Sequence, residues 1–290
     1  MSEYQVKLRS NYLDGVTDVD VILPNPFVGH DPEKFYASGK KYPVLWLLHG
    51  GRNKMDDWIT YTSVPRLGIW RNIIIVAPHS ENTGFMNHVS VGEGYRYMDF
   101  FFHELMPFIF NWFPSSARKE DNFFAGNDLG AQAVWRYGLL YPEKFIRICP
   151  IDTLPVSYEK LRSYESQKTS SFLEEDHGLS LREQNVMRNY ETVGHFLASI
   201  ENTKARYEES NLLPQVFLPY QSAHRDVSEY PFKEGTVLQE YQETGCRFLE
   251  HSLEDFLEKS GVKEIERKPN QLPILPGVHN LDDSEGITIH

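Results

Sequence analysis

The chain has 290 residues, a net charge of −12 and a sequence pI near 5.4. Hydrophobic residues make up 40% and aromatic residues 13%, enough to build a full core, so a disordered chain is excluded as the default. The acidic balance, with no cluster of Lys or Arg, excludes nucleic acid as an expected partner, because a phosphate backbone would be repelled.

Val16 to Leu23 alternates in polarity and ends in Pro24-Asn25-Pro26, the pattern of an outer strand feeding a turn. Pro43 to Leu48 is a continuous apolar run closed by His49-Gly50-Gly51, and Ile73 to Pro78 is a second such run. Runs of this kind suit central parallel strands buried on both faces. Tyr97 to Phe113 has helical length, with Phe101, Leu105, Phe108, Ile109 and Trp112 at one-face spacing, and Pro114 stops it. Asn122 to Gly126 predicts a third central strand, Leu129 to Tyr141 a helix, and Phe145 to Pro150 a fourth strand. This alternation indicates a mostly parallel sheet covered by helices.

Residues 155–213 are polar and helix-prone, and read as a cap-like helical insertion after the fourth core strand, either over a site or simply covering the sheet. Gln215 to Pro219 and Val237 to Thr244 resume the strands. Arg247 to Lys259 is a last helix, with Phe248, Leu249, Leu253 and Phe256 on one face. Residues 1–260 therefore form one α/β domain, and 261–290, rich in proline and charge, form an irregular surface tail.

Gly126-Asn127-Asp128-Leu129-Gly130 lies between a strand and a helix. A Gly-x-X-x-Gly turn in that context is a nucleophile elbow. It holds the central side chain at a helix N-terminus, where backbone N–H groups favour negative charge. Here the central residue is Asp128. The upstream His49-Gly50-Gly51, which alone would read as a tight turn, supplies half an oxyanion hole through the N–H of Gly51, with Arg52 the neighbouring candidate, and Leu129 supplies the other half.

Tyr42 to Gly51, then Asp57-Trp58, Ile75 to Pro78, His103-Glu104-Leu105, Phe113-Pro114, the elbow, and Tyr141 to Phe145 together resemble the putative-esterase family of the α/β-hydrolase fold, which includes esterase D, S-formylglutathione hydrolase, and tributyrin and feruloyl esterases. The resemblance covers about residues 16–152 well and 215–258 loosely. It implies ester or thioester hydrolysis by a Ser-His-Asp triad. Carried over by position, the nucleophile falls on Asp128 and the acid on Asp226. The family's histidine lies just before the last helix, where this sequence has Glu243-Thr244-Gly245-Cys246 and no histidine.

Two readings follow. An aspartate is a poor acyl-transfer nucleophile, since attack on an ester gives a mixed anhydride and its charge opposes an anionic intermediate. The first reading is therefore a catalytically degenerate esterase scaffold that keeps a small ester-like ligand, with Asp128 as an acidic group at a helix N-terminus, able to accept the N–H groups there. The second is an active hydrolase, of the carboxylesterase or thioesterase kind, or one using Asp128 as a carboxylate nucleophile in the manner of dehalogenases and epoxide hydrolases. The second needs a histidine at Asp128, and His224, His251 and His279 are the candidates. A third, weaker reading is a structural role through the aromatic surface or the tail, as a homo-oligomer.

The remaining signals are blander. His103 reads as a packed or capping histidine, Cys149 as core, and Cys246 as a small apolar filler. No metal or cofactor is expected, because no histidine pair has ligand spacing beside a carboxylate. The two cysteines suit a reducing cytoplasm. Met1-Ser2-Glu3-Tyr4 does not read as a signal peptide, and no apolar run is long enough for a membrane span.

Overall fold

A computed structural model describes residues 2–26, 30–50, 57–80, 83–87, 96–151, 214–221, 237–241 and 245–265. The insertion expected at 155–213 and the tail beyond 265 lie outside them. Seven strands form one sheet: β1 (Ser2–Ser10), β2 (Gly15–Leu23), β3 (Val44–Leu48), β4 (Ile74–Pro78), β5 (Asn122–Asn127), β6 (Arg147–Ile151) and β7 (Gln215–Val216). Their order is β1-β2-β4-β3-β5-β6-β7, and β8 (Leu218–Gln221) pairs with β9 (Val237–Tyr241). Pairing is antiparallel for β1–β2 and β2–β4, and parallel for every other pair.

The apolar runs become buried strands because both of their faces are covered. Val44, Trp46 and Leu48 of β3 join one core with Phe100, Phe101, Phe124 and Tyr137, while Leu45 and Leu47 join the other with Trp58, Leu67, Phe248 and Phe256. The first core lies under α4 (Tyr97–Phe100), α5 (Met106–Trp112) and α6 (Leu129–Leu140). The second lies under α2 (Asp57–Thr60), α3 (Val64–Arg71) and the last helix, α7 (Cys246–Lys259). A short helix of Pro32–Tyr36, α1, precedes β3 and is capped by Asp31, whose side chain accepts from Glu33 N–H and Lys34 N–H.

Four expectations need correction. Val16 to Leu23 is not an outer strand. β1 lies outside it, so Asp20 is buried and Val19, Val21 and Ile22 are fully covered. The long aromatic helix is interrupted by a π-turn, Phe101–Leu105, between α4 and α5. Trp112, expected on the buried face, is 77% exposed, whereas Leu105 and Ile109, expected on the same face, are fully buried. His103, within that π-turn, is exposed rather than packed, with its ring 6.0 Å from that of Tyr12. The strand expected at Gln215 to Pro219 is divided at Phe217 into β7 and β8.

The order fixes where a ligand can sit. β3 connects to β4 on one side and β5 connects to β6 on the other. The crevice beyond the C-terminal ends of β3 and β5 is thus the point where the winding of the sheet reverses, the place where open α/β sheets bind ligands. No helix among the described residues is long and apolar enough to cross a membrane.

Candidate active site

The elbow occupies that crevice. Asn127 ends β5, Asp128 turns the chain, and Leu129 is the first residue of α6, with the N–H of Gln132 donating to Asp128 O at 3.1 Å. Asp128 has φ 50° and ψ −118°, a region that side chains other than glycine rarely adopt. The backbone is forced into it by close packing. A Cβ on Gly130 would lie 2.6 Å from both His49 O and Leu48 O, and one on Gly126 would lie 2.8 Å from the carbonyl carbon of Gly130. Only two glycines let α6 start directly against the end of β3. Gly245, before α7, makes a similar turn at φ 66° and ψ −139°, but as glycine it does so without strain.

Asp128 is exposed and makes no side-chain capping hydrogen bond to the first turn of α6. It leans on the other wall. A Cβ placed on Gly50 would lie 3.2 Å from Asp128 Cβ, 3.4 Å from its Oδ2 and 3.1 Å from Asn127 Nδ2. A side chain at position 50 would therefore crowd the Asn127 and Asp128 side chains, which would have to shift slightly, and glycine leaves that wall of the elbow open.

That strand end is held by His49, which is 2% exposed. Its Nε2 accepts from Ser80 N–H at 3.1 Å, so its Nδ1 carries the proton and donates to Gly50 O at 2.8 Å. The ring stacks on His79 at 5.4 Å and touches Phe85 at 5.1 Å. Burial lowers its pKa from 6.5 to about 4; the Gly50 hydrogen bond pulls upward and neighbouring His79 pushes down. A neutral ring with both nitrogens engaged is a brace, not a base. Trp58 adds a second brace, its indole N–H donating to Leu48 O at 3.1 Å.

Of the expected site residues, Asp128 and Leu129 are thus adjacent at the crevice. Gly51, Arg52, Asp226, His224 and His279 lie outside the described residues. His251 is half-buried on α7, in the second turn. The family's histidine position falls at the start of that helix, where Cys246 is exposed rather than filling a gap. Cys149 is buried in β6, and burial raises its thiol pKa well above the ordinary value. The bracing role of His49 and the contribution of His79-Ser80 were not read from the sequence. Their signal is that both polar groups directly follow apolar strands that become neighbours.

The model of the putative esterase family matches residues 10–186 of the 290. The chain belongs to the putative esterase family. Among its relatives is an acetyl esterase of Caldicellulosiruptor saccharolyticus, 25% identical over 53% of this chain and 56% of that protein. An esterase of Mycobacterium tuberculosis is 31% identical over 38% of this chain and 25% of its own length. The chain therefore spans about half the length of the first and a quarter of the second. Among solved structures, a fluorophosphonate-binding serine hydrolase of Staphylococcus aureus superimposes with a TM-score of 0.69 at 16% identity, covering 91% of this chain and 99% of that one. An S-formylglutathione hydrolase of Agrobacterium tumefaciens gives 0.58 at 13% identity over 89% and 93%. These likenesses agree with the strand order in giving an α/β-hydrolase fold of the esterase kind.

Proposed function

We propose that this protein is an esterase-family scaffold that no longer performs acyl transfer and keeps the crevice at β3 and β5 as a binding site for a small ester-like ligand. The observation that carries this reading is Asp128 in the strained elbow position, its side chain turned toward the wall at Gly50. A serine there would attack the carbonyl carbon and push charge onto the carbonyl oxygen. A carboxylate brings negative charge to the place where that oxygen would become negative, and would leave a mixed anhydride. The chain from Gln242 to Cys246 carries no histidine to take a proton, and His49 has its lone pair engaged by Ser80. The expected partner is a small molecule, not nucleic acid or a membrane, and the expected compartment is the cytoplasm.

The test is turnover of short-chain nitrophenyl esters by the wild type and by Asp128→Ala, with binding of ethyl butyrate followed by ligand-observed NMR. Both proteins are expected at background hydrolysis, with binding retained. Wild-type turnover that disappears in Asp128→Ala would overturn the reading.

One observation favours the alternative of a carboxylate nucleophile: the strained elbow persists although strain of this kind costs about 1–3 kcal/mol. Asp128 would attack a saturated carbon, forming a C–O bond as a halide leaves. Without a base to release it, that ester would accumulate. Incubation with 1-bromobutane followed by intact-mass measurement would then show one added butyl group on the wild type and none on Asp128→Asn.

A further inference from the structure

Among the described residues, the sheet ends at β1. β1 runs nine residues and, among the described residues, pairs only with β2. Its even-numbered side chains face the aromatic helix layer: Tyr4 meets Phe113 edge-on at 6.2 Å, and Ser10 Oγ donates to Glu104. Its odd-numbered side chains, Glu3, Gln5, Lys7 and Arg9, are exposed. Beside the edge lies an apolar patch. Tyr4 is 48% and Trp112 77% exposed; Trp112 stacks on Phe108 at 6.2 Å, and Phe108 meets Phe113 at 6.0 Å. An exposed edge beside exposed aromatic rings is a template for another strand.

Charged residues on an edge guard against pairing when like charges would meet. Here they do not. An antiparallel second copy centred on Val6 pairs all nine residues, Ser2 with Ser10, Glu3 with Arg9, Tyr4 with Leu8, Gln5 with Lys7, and Val6 with itself. Glu3 faces Arg9 twice across the two-fold axis, and Lys7 faces an amide rather than another cation. Chains carrying −12 each repel over most of their surface, so association requires a place where charges pair. A two-fold axis normal to the sheet also keeps both aromatic layers on one side, bringing Tyr4 of each copy against Leu8 of the other.

We propose that β1 is a homodimer interface, in which a second copy of this chain adds its own β1 antiparallel and the two sheets become continuous. The edge is thereby removed rather than guarded, in an isologous contact that closes on itself.

Sedimentation equilibrium of the full chain tests this, with Glu3→Arg, Arg9→Glu and the double swap Glu3→Arg/Arg9→Glu. The wild type is expected to be a dimer at micromolar concentration. Each single reversal places like charges opposite each other twice and weakens the dimer at least about tenfold, while the swap restores it. Hydrogen exchange gives a measurement that needs no variant: protection of β1 amides rises with protein concentration. A wild type that stays monomeric, a dimer indifferent to both single reversals, or β1 exchange independent of concentration would each overturn the proposal.

Discussion

His49 shows how one residue ties the pH response to the site. Its Nε2 accepts from Ser80 N–H, so a second proton on the ring would point a donor at a donor. The folded state therefore resists protonation down to about 4, whereas an unfolded chain takes the proton near 6.5. The unfolded state binds more protons between those values. The contribution of His49 is complete above 6.5 and is lost as pH falls toward about 4, at about 1.4 kcal/mol per pH unit, of order 3 kcal/mol in all. Urea unfolding of the wild type and His49→Gln at several pH values checks this. The wild type is expected to lose more stability than the variant as pH falls from 6.5, and parallel curves would refute the role.

At the scale of elements, the elbow is a fit between one helix and one strand. α6 begins against the end of β3 because Gly126 and Gly130 leave no Cβ between them and the carbonyls of Leu48 and His49. Those obstructing atoms are backbone and cannot swing aside. Gly130→Ala is therefore expected to cost about 3 kcal/mol, as overpacking does. Asp128→Gly should act oppositely. It relieves about 1–3 kcal/mol of backbone strain, offset in part by the entropy of glycine, about 0.5–1 kcal/mol, for a net gain of about 1 kcal/mol. Denaturant midpoints of the two variants are expected to move in opposite directions from the wild type. A destabilised Asp128→Gly would mean that the carboxylate itself holds the turn. The strand-turn-helix was legible in the sequence because both glycines and the flanking apolar runs are local signals. The π-turn was not: Phe101 to Trp112 keeps helical spacing on paper, and the added residue in the turn appears only when the rings of Phe101 and Phe102 are packed on Phe124 and Tyr137.

For the whole molecule, the chain order of buried strands was readable from Val44 to Ile151 because every strand there is apolar on both faces. The edges were harder. β1 alternates Tyr4, Val6 and Leu8 with polar and charged residues, a weaker signal than the continuous apolar runs, so the sequence alone puts β2 at the edge. The family's catalytic positions beyond β7 were only loosely placed, because the acid and histidine loops follow strands that are brought to the elbow by the sheet rather than by sequence neighbourhood. β5, β6 and β7 run parallel in the main sheet, while β8 and β9 pair in a separate two-stranded sheet. The family's histidine position, between β9 and α7 in the chain, gives a stringent prediction. Asp128→Ser alone supplies a hydroxyl but no group to take its proton, and should leave nitrophenyl acetate hydrolysis at background. A histidine added to it at Glu243, Thr244 or Cys246 in turn restores the missing partner, and at least one pair should raise kcat/KM about 10²-fold over the single variant, the scale of general-base catalysis. If Asp128→Ser alone reaches that rate, a base already stands at the elbow. Repeating the assay with His224, His251 and His279 each changed to Ala would then identify it, and the loss of chemistry would reside in Asp128 alone.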